Sequence, residues 1–502
     1  MRKQDQLLSL VNSLTPSEKR YFKLYNNIQP GSKKYDRLFN ELAKREHYDA
    51  TLICKNLKVT KSQLANDKKY LEKVLIKALR SFNDKTSLSI ELNNALIDIE
   101  VLQRKGQREM CMAIINNAKK ICNEDIFATH MLLLLYWEKE LNNNLPNVDD
   151  RHSARERIRL LEKKFIEKTD NSSECGLLRS KVHLIMSRLG SFVDEQSEQE
   201  LRELLKNPLL TNVTGAKSFG AKLDLYATKA AAYATLHQWN EGYHCLKEWC
   251  AVIESKPGFT VKQPGYYSQV LTGLVTMCIL NEKFGEAVSN IKKIELIPQL
   301  KGVKLSEADA MLIRRHIMEQ KMVVQTFSNN YPQGISYFNK TLGEVGSDKK
   351  IWTPRLFTYF YFCGAFCYFH KGQFEESLKN LRIIINESDI QKPDEGMIYT
   401  YMLHLMTQYE LRAFEVIPYQ LKALSGFAKR VKFKSRTLDA FLKLFTALSK
   451  SGNAESHHSH FKQYENIFTQ LAKAPRDRDL QVSIGIQNWL SGKIQSSKPG
   501  IV

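Results

Sequence analysis

Polar and basic side chains that suit nucleic-acid contact cluster at the start of one predicted helix. The set is Lys61, Ser62, Gln63, Asn66 and Lys69. Lysine binds phosphate, and serine, asparagine and glutamine hydrogen-bond to phosphates or to base edges. These residues are therefore predicted to contact DNA or RNA. The alternative is that they only solvate a helical cap at the edge of the fold.

A second basic run interleaves cations with aromatic residues. Its cations are Lys429, Arg430, Lys432, Lys434 and Arg436. With Phe427 and Phe433 between them, these residues could grip phosphates and stack a base. An acidic protein segment would suit the charges equally well. The third interpretation is a positive helix end that complements the helix dipole.

The residues with metal-binding chemistry form no convincing ligand set. His457, His458 and His460 lack a cysteine or carboxylate at metal-ligand spacing. Cys363 and Cys367 lie one helical turn apart, but buried cysteine is also a common packing residue. No Gly-rich phosphate loop, dinucleotide fingerprint or H-E-x-x-H is present. The prediction is a non-enzyme with no metal, no cofactor and no small-molecule substrate.

The charge of the chain is uneven. Its net charge is +20, which favours anionic partners. Residues 1–85 hold 19 Lys+Arg against 9 Asp+Glu, a net +10. Nine scattered cysteines without C-x-x-C spacing, and no signal peptide, predict a reduced cytoplasmic protein. The most apolar stretch, 356–369, is too short to span a bilayer, so no membrane partner is expected.

The first basic set follows a pattern that resembles a helix-turn-helix motif. Asp49 and Thr60 are predicted to cap two successive helices. The pattern itself is Cys54, Leu57, Val59, Thr60 and Leu64. Lys58 stands where the motif usually has glycine. The resemblance implies that the helix after Thr60 offers its first turns to base edges in a major groove.

Farther along, residues 357–384 resemble a tetratricopeptide (TPR) unit. The matching residues are Ala365, Tyr368, Gly372, Phe374, Ser377, Leu381 and Ile384. Small residues stand where helices must approach, and Gly372 stands in the turn. The resemblance covers about residues 218–430. It implies helix pairs that stack into a superhelix whose concave groove, lined by the first helix of each pair, binds a peptide or protein.

An aromatic residue marks each predicted repeat. The five are Trp239, Phe284, Tyr331, Phe374 and Phe414, at intervals of 45, 47, 43 and 40 residues. Three positions later stand Gly242, Ala287, Gly334, Ser377 and the exception Ile417. These intervals exceed the roughly 34 residues of a standard TPR unit, so longer helices or loops are expected.

The predicted fold is all-α, a right-handed α-solenoid of antiparallel helix pairs with a basic helical N-terminal region. The predicted segments are a basic region at 1–85, irregular helical repeats at 86–215, TPR-like repeats with a capping helix at 216–493, and a flexible tail at 494–502. The expected function is a protein- or peptide-binding scaffold. The alternative is a nucleic-acid-binding regulator, in which the basic helices contact DNA or RNA and the repeats bind a partner.

Overall fold

The computed structural model is helical wherever it describes the chain. The described residues are 5–27, 32–45, 47–84, 88–122, 127–143, 145, 147–189, 195–345, 350–386, 395–450 and 454–496. No strand occurs within these ranges, and the helices pack against their neighbours. The predicted all-α class is therefore confirmed.

The chain divides into two compact units, Met1–Thr169 and Asp170–Val502. The boundary lies inside one long helix, Val148–Leu189. The proposed segment boundaries near residues 85 and 215 stay predictions. Of the predicted tail, residues 494–496 belong to the last helix and 497–502 lie outside the described residues.

The first unit contains two apolar clusters. Its helices are α1 (Gln6–Ser13), α2 (Pro16–Asn26), α3 (Ser32–Ala43), α4 (Ala50–Leu57), α5 (Lys61–Phe82), α6 (Leu88–Arg104), α7 (Arg108–Cys122), α8 (Ala128–Asn142) and the start of α9 (Val148–Leu189). One cluster joins α1–α5 around side chains such as Phe22, Phe39 and Leu71. The other joins α6–α9 around side chains such as Ile99 and Leu134.

The second unit begins with the rest of α9 and continues through seventeen further helices of the described chain. They are α10 (Glu195–Leu205), α11 (Pro208–Thr211), α12 (Phe219–Thr235), α13 (Trp239–Glu254), α14 (Pro257–Lys262), α15 (Pro264–Leu280), α16 (Phe284–Leu296), α17 (Glu307–Phe327), α18 (Tyr331–Val345), α19 (Pro354–His370), α20 (Phe374–Asn386), α21 (Glu395–Glu410), α22 (Ile417–Arg430), α23 (Arg436–Lys450), α24 (Ala454–Leu471), α25 (Pro475–Ile484) and α26 (Ile486–Ser496). None of the helices in the described ranges is both long and apolar enough to cross a membrane.

The five marker aromatics each follow the same kind of turn. Two residues before each aromatic, the backbone adopts a positive φ between 55° and 73°. The turn residues are His237, Glu282, Asn329, Gly372 and Arg412. The N–H of the following residue then bonds to the carbonyl five positions earlier, at 2.8 to 3.1 Å. This is the Schellman ending of a helix, so each marker aromatic stands two residues after the left-handed residue of such a turn.

The small residue three positions after the aromatic lies where the second helix of a pair meets the next first helix. A Cβ on Gly242 would lie 3.0 Å from the Met277 sulfur, and one on Gly334 would lie 2.7 Å from the Cys367 sulfur. The Ser377 hydroxyl lies 3.5 Å from the hydroxyl of Thr407 on α21. Larger side chains would push these helices apart.

Contacts between helices follow the same order along the second unit. Each of α15, α17 and α19 packs against its following helix and against the next first helix, which is α17, α19 and α21 respectively. One apolar cluster then continues from Met322 to Leu490 and includes side chains of α23, α24 and α26. Neighbours thus supply the apolar wall that a single helix pair lacks.

Candidate nucleic-acid interface

The turn between α4 and α5 is tight, although it lacks the glycine that the helix-turn-helix motif usually has there. Lys58 ends α4 with φ 55°, in the left-handed conformation usually taken by glycine. The Val59 N–H bonds to the Cys54 carbonyl at 3.1 Å. A lysine therefore closes the tight turn at the position where the helix-turn-helix motif usually has glycine.

Both predicted caps are confirmed. The Asp49 carboxylate accepts hydrogen bonds from the N–H groups of Thr51 and Leu52, at 2.9 and 3.0 Å. Thr60 forms a capping box, since its hydroxyl accepts from the Gln63 N–H and the Gln63 side-chain oxygen accepts from the Thr60 N–H. The amide nitrogen of Gln63 takes no part in the capping box and can donate to a base.

All of the predicted contact residues on α5 are exposed. They are Lys61, Ser62, Gln63, Asn66 and Lys69. The opposite side of α5 is buried against α2, α3 and α4 through side chains such as Leu64, Leu71 and Leu75. The apolar packing thus holds the helix so that its polar first turns face outward.

Three further cations extend the predicted surface along α5. Lys73, Lys77 and Arg80 are exposed and follow Lys69 at intervals of four, four and three residues, which places them on one helix face. Their spacing is present in the sequence, but the helix-turn-helix resemblance implies contacts only from the first turns of α5. We call Lys61, Lys69, Lys73, Lys77 and Arg80 the α5 basic row.

The α5 basic row is not neutralised within the described chain. None of its five members forms an ion pair among the described residues. Two other lysines of this unit do, since Lys34 on α3 pairs with Asp67 and Lys68 on α5 pairs with Asp5. The acid within the row is Glu72, which is exposed. The row therefore carries a strong excess of positive charge toward solvent.

The nearby aromatic rings are engaged inside the α1–α5 bundle. The rings of Tyr35 and Tyr70 stack at 4.2 Å, and those of Phe22 and Phe39 pack at 4.5 Å. The Lys68 ammonium lies over the Tyr48 ring. The exposed face of α5 thus offers cations, hydroxyls and amides, which suit a phosphate backbone and base edges better than unstacked bases.

The second predicted set lies around the end of α22. Lys429, Arg430, Lys432, Lys434 and Arg436 are all exposed. The prediction that Phe427 and Phe433 stack a base is wrong, because they are only 5% and 8% exposed and belong to the apolar core. Phe433 is buried because the left-handed Lys432 closes a Schellman turn, whose next residue packs back on the helix.

One cation of this second set is already paired. The Arg436 Nε donates to Asp477 at 3.1 Å, and the same carboxylate accepts from the Ser435 hydroxyl and the Thr437 N–H. The other four form no ion pair with any described residue. This surface retains charge for an anionic partner but offers no exposed ring for stacking.

The residues considered for metal binding do not assemble in the described chain. No group of three or more His, Cys, Asp or Glu side chains there has metal-site geometry. His457 Nδ1 lies 2.8 Å from the Tyr409 hydroxyl. Cys363 and Cys367 are buried, and burial raises the pKa of both thiols, that of Cys367 to about 11. Neutral buried thiols of this kind are packing groups.

Comparisons with protein-family models, with curated proteins and with solved structures find no match for this chain.

Proposed function

We propose that the chain is a non-enzymatic protein that binds nucleic acid through the exposed face of α4 and α5. The observation that carries the proposal is the α5 basic row, with no acidic partner among the described residues, next to polar first turns fixed by a capping box. In this function the row binds phosphates, while Asn66 and Ser62 reach base edges. The localisation that fits it is the cytoplasm.

The test is a titration of the full chain with labelled duplex DNA and with structured RNA across a salt series. Each phosphate contact contributes about 0.9 to the slope of log affinity against log salt. The double variant Lys69→Ala with Lys73→Ala should reduce that slope by about 1.8. The charge-matched control is Lys429→Ala with Lys432→Ala, which should leave it unchanged.

Two outcomes would refute this proposal. One is the absence of salt-dependent binding to either nucleic acid by the unmodified chain. The other is a slope that falls in the control variant but not in the α5 variant. Asn66→Ala adds a separate readout. Loss of a base contact should reduce the difference in affinity between nucleic-acid sequences and leave the salt slope unchanged.

A second function is favoured by the phased turns of the second unit. We infer a right-handed solenoid of antiparallel helix pairs, similar to TPR proteins, that binds a protein or peptide along its first helices. A photo-crosslinker at Gln269, exposed on α15, should then capture the partner, and one at Ser289, exposed on α16, should not. Equal capture at both positions would contradict binding through the first helices.

A further inference from the structure

The α5 basic row ends beside a group of aromatic rings in the first unit. The Tyr21 hydroxyl on α2 lies 2.9 Å from the hydroxyl of Ser81 on α5, one helical turn after Lys77. The Tyr21 ring contacts two others, since its centroid is 5.2 Å from that of Phe82 and 6.4 Å from that of Tyr25. We call Tyr21, Tyr25 and Phe82 the aromatic cluster.

The aromatic cluster lies at the surface, unlike the rings in the core of the bundle. All three of its residues are half-buried, whereas Phe22 and Phe39 are 0% and 1% exposed. Leu24, one turn after Tyr21 and adjacent to Tyr25 on the same helix, is 61% exposed. This part of α2 therefore offers aromatic and apolar area to a ligand.

Cations from both helices lie next to the aromatic cluster. On α2, Arg20 is exposed and forms no ion pair with any residue that the structure describes. On α5, the exposed cations Lys77 and Arg80 end the basic row just before the ring that this helix contributes. Among the nearby acids, Glu18 is engaged in the cap of α2, and Asp84 is exposed just after α5. The positive charge of the row thus continues around the rings.

Cations beside partly open rings suit unpaired bases. In proteins that bind single strands, a positive surface follows the backbone and the bases stack on aromatic side chains. Inside a duplex, neighbouring base pairs cover the faces of each base, so only an end or an unpaired segment can stack on a protein ring. The α5 basic row extends over roughly 28 Å of helix, at about 1.5 Å per residue. A nucleic acid whose phosphates follow the row therefore reaches the aromatic cluster at one end of it.

We propose that the aromatic cluster binds unpaired bases next to the phosphates that the α5 basic row holds. The ligand class is then a nucleic acid with a single-stranded segment beside a duplex or a folded stem. Bases stack on Tyr21 and Tyr25, while Arg20 and Lys77 bind the flanking phosphates. This inference rests on the nucleic-acid binding proposed above and adds a ligand preference to it.

The test compares the affinities of the full chain for three labelled DNA probes and needs no variant. The probes are a blunt duplex, the same duplex with a single-stranded thymidine tail, and the same duplex with an abasic tail of equal length. The thymidine tail should bind about fivefold or more tightly than the abasic tail, the effect of stacking one base. This ratio should not change with salt, because both tails carry the same number of phosphates.

Variants then assign the preference to the rings. Tyr21→Leu with Tyr25→Leu removes two rings, so the two tails should bind equally, while unchanged affinity for the blunt duplex shows that the bundle is folded. Tyr21→Phe keeps the ring and loses only the hydroxyl contact, so it should retain the preference. The control is Tyr136→Leu, since that tyrosine is 49% exposed on α8, outside the aromatic cluster.

The outcomes separate this inference from the function on which it rests. Equal affinity of the unmodified chain for thymidine and abasic tails would overturn the inference and leave duplex binding by α5 intact. A tail preference that survives Tyr21→Leu with Tyr25→Leu, or that is lost in Tyr136→Leu, would also overturn it. Absence of salt-dependent binding to all three probes would overturn both proposals.

Discussion

The replacement Gly364→Ala should destabilise the second unit through one steric contact. Gly364 lies on α19, and a Cβ there would lie 2.5 Å from Cε2 and 2.6 Å from Cδ2 of Phe338 on α18. Phe338 is 1% exposed and its ring stacks on Phe360 at 5.3 Å, so it has little room to move. Overpacking of this kind costs about 1–3 kcal/mol of unfolding free energy.

The assay is urea unfolding of the full chain, monitored by circular dichroism and by tryptophan fluorescence. The urea concentration at the unfolding midpoint of the second unit should fall, while the slope of its unfolding free energy against urea concentration stays constant. Gly426→Ala is the matched control, because Gly426 is an exposed helical glycine with no atom near its Cβ position. Alanine there should stabilise the chain by about 0.5–1 kcal/mol.

A double-mutant cycle identifies the contact. If the Phe338 ring causes the cost, Gly364→Ala should cost less in a Phe338→Leu background than in the unmodified chain, since the two positions touch. An unchanged midpoint for Gly364→Ala, or an equal cost in both backgrounds, would refute the steric reasoning.

Three other perturbations concern polar groups that stabilise the fold. Burial lowers the pKa of three histidines in the second unit to about 4; they are His316, His370 and His404. Because each folded pKa lies below the unfolded value, the neutral histidines contribute fully to the free energy of unfolding above pH 6.5. This contribution is lost as the pH falls toward 4, by up to about 1.4 kcal/mol per pH unit for each histidine. His316→Gln should reduce that slope by about a third in pH-dependent urea unfolding. Thr60→Ala should cost the first unit about 1 kcal/mol in thermal unfolding through loss of the cap. Glu138→Gln should cost that unit about 1.5–3 kcal/mol in urea unfolding, because the buried carboxylate binds Lys119 and Arg157.

Local signals predicted much of the helical framework. The caps at Asp49 and Thr60 were visible because a short polar side chain before an apolar run has a local partner in the backbone. The marker aromatics could be recognised because they recur at similar intervals, and each follows a helix-ending turn of the same kind. The turns before these aromatics were harder to predict, since only Gly372 of the five turn residues is glycine. Asn329 is of a type that also favours positive φ, whereas His237, Glu282 and Arg412 adopt it without a compositional signal.

The basic run shows how a charge pattern misleads when a turn is missed. Phe433 stands between lysines, which resembles a stacking surface, but the turn at Lys432 directs its ring into the core. The charges were placed correctly on the surface, whereas the rings were not. On α5 no turn interrupts the pattern, so regular helical spacing alone determines which lysines share a face. Sequence reasoning therefore located the α5 surface better than the one around α22.

The contact between the Asp479 carboxylate on α25 and the Trp239 indole had no signal in the sequence. It joins polar groups about 240 residues apart, and the periodic pattern that marks Trp239 carries no information about Asp479. The apolar packing of α25 is local by contrast, since Leu480 and Ile484 are buried in the same cluster as side chains of α23, α24 and α26. Apolar spacing along the helix therefore accounts for the burial of α25, whereas the polar contact exists only because the folded chain brings Asp479 back to Trp239.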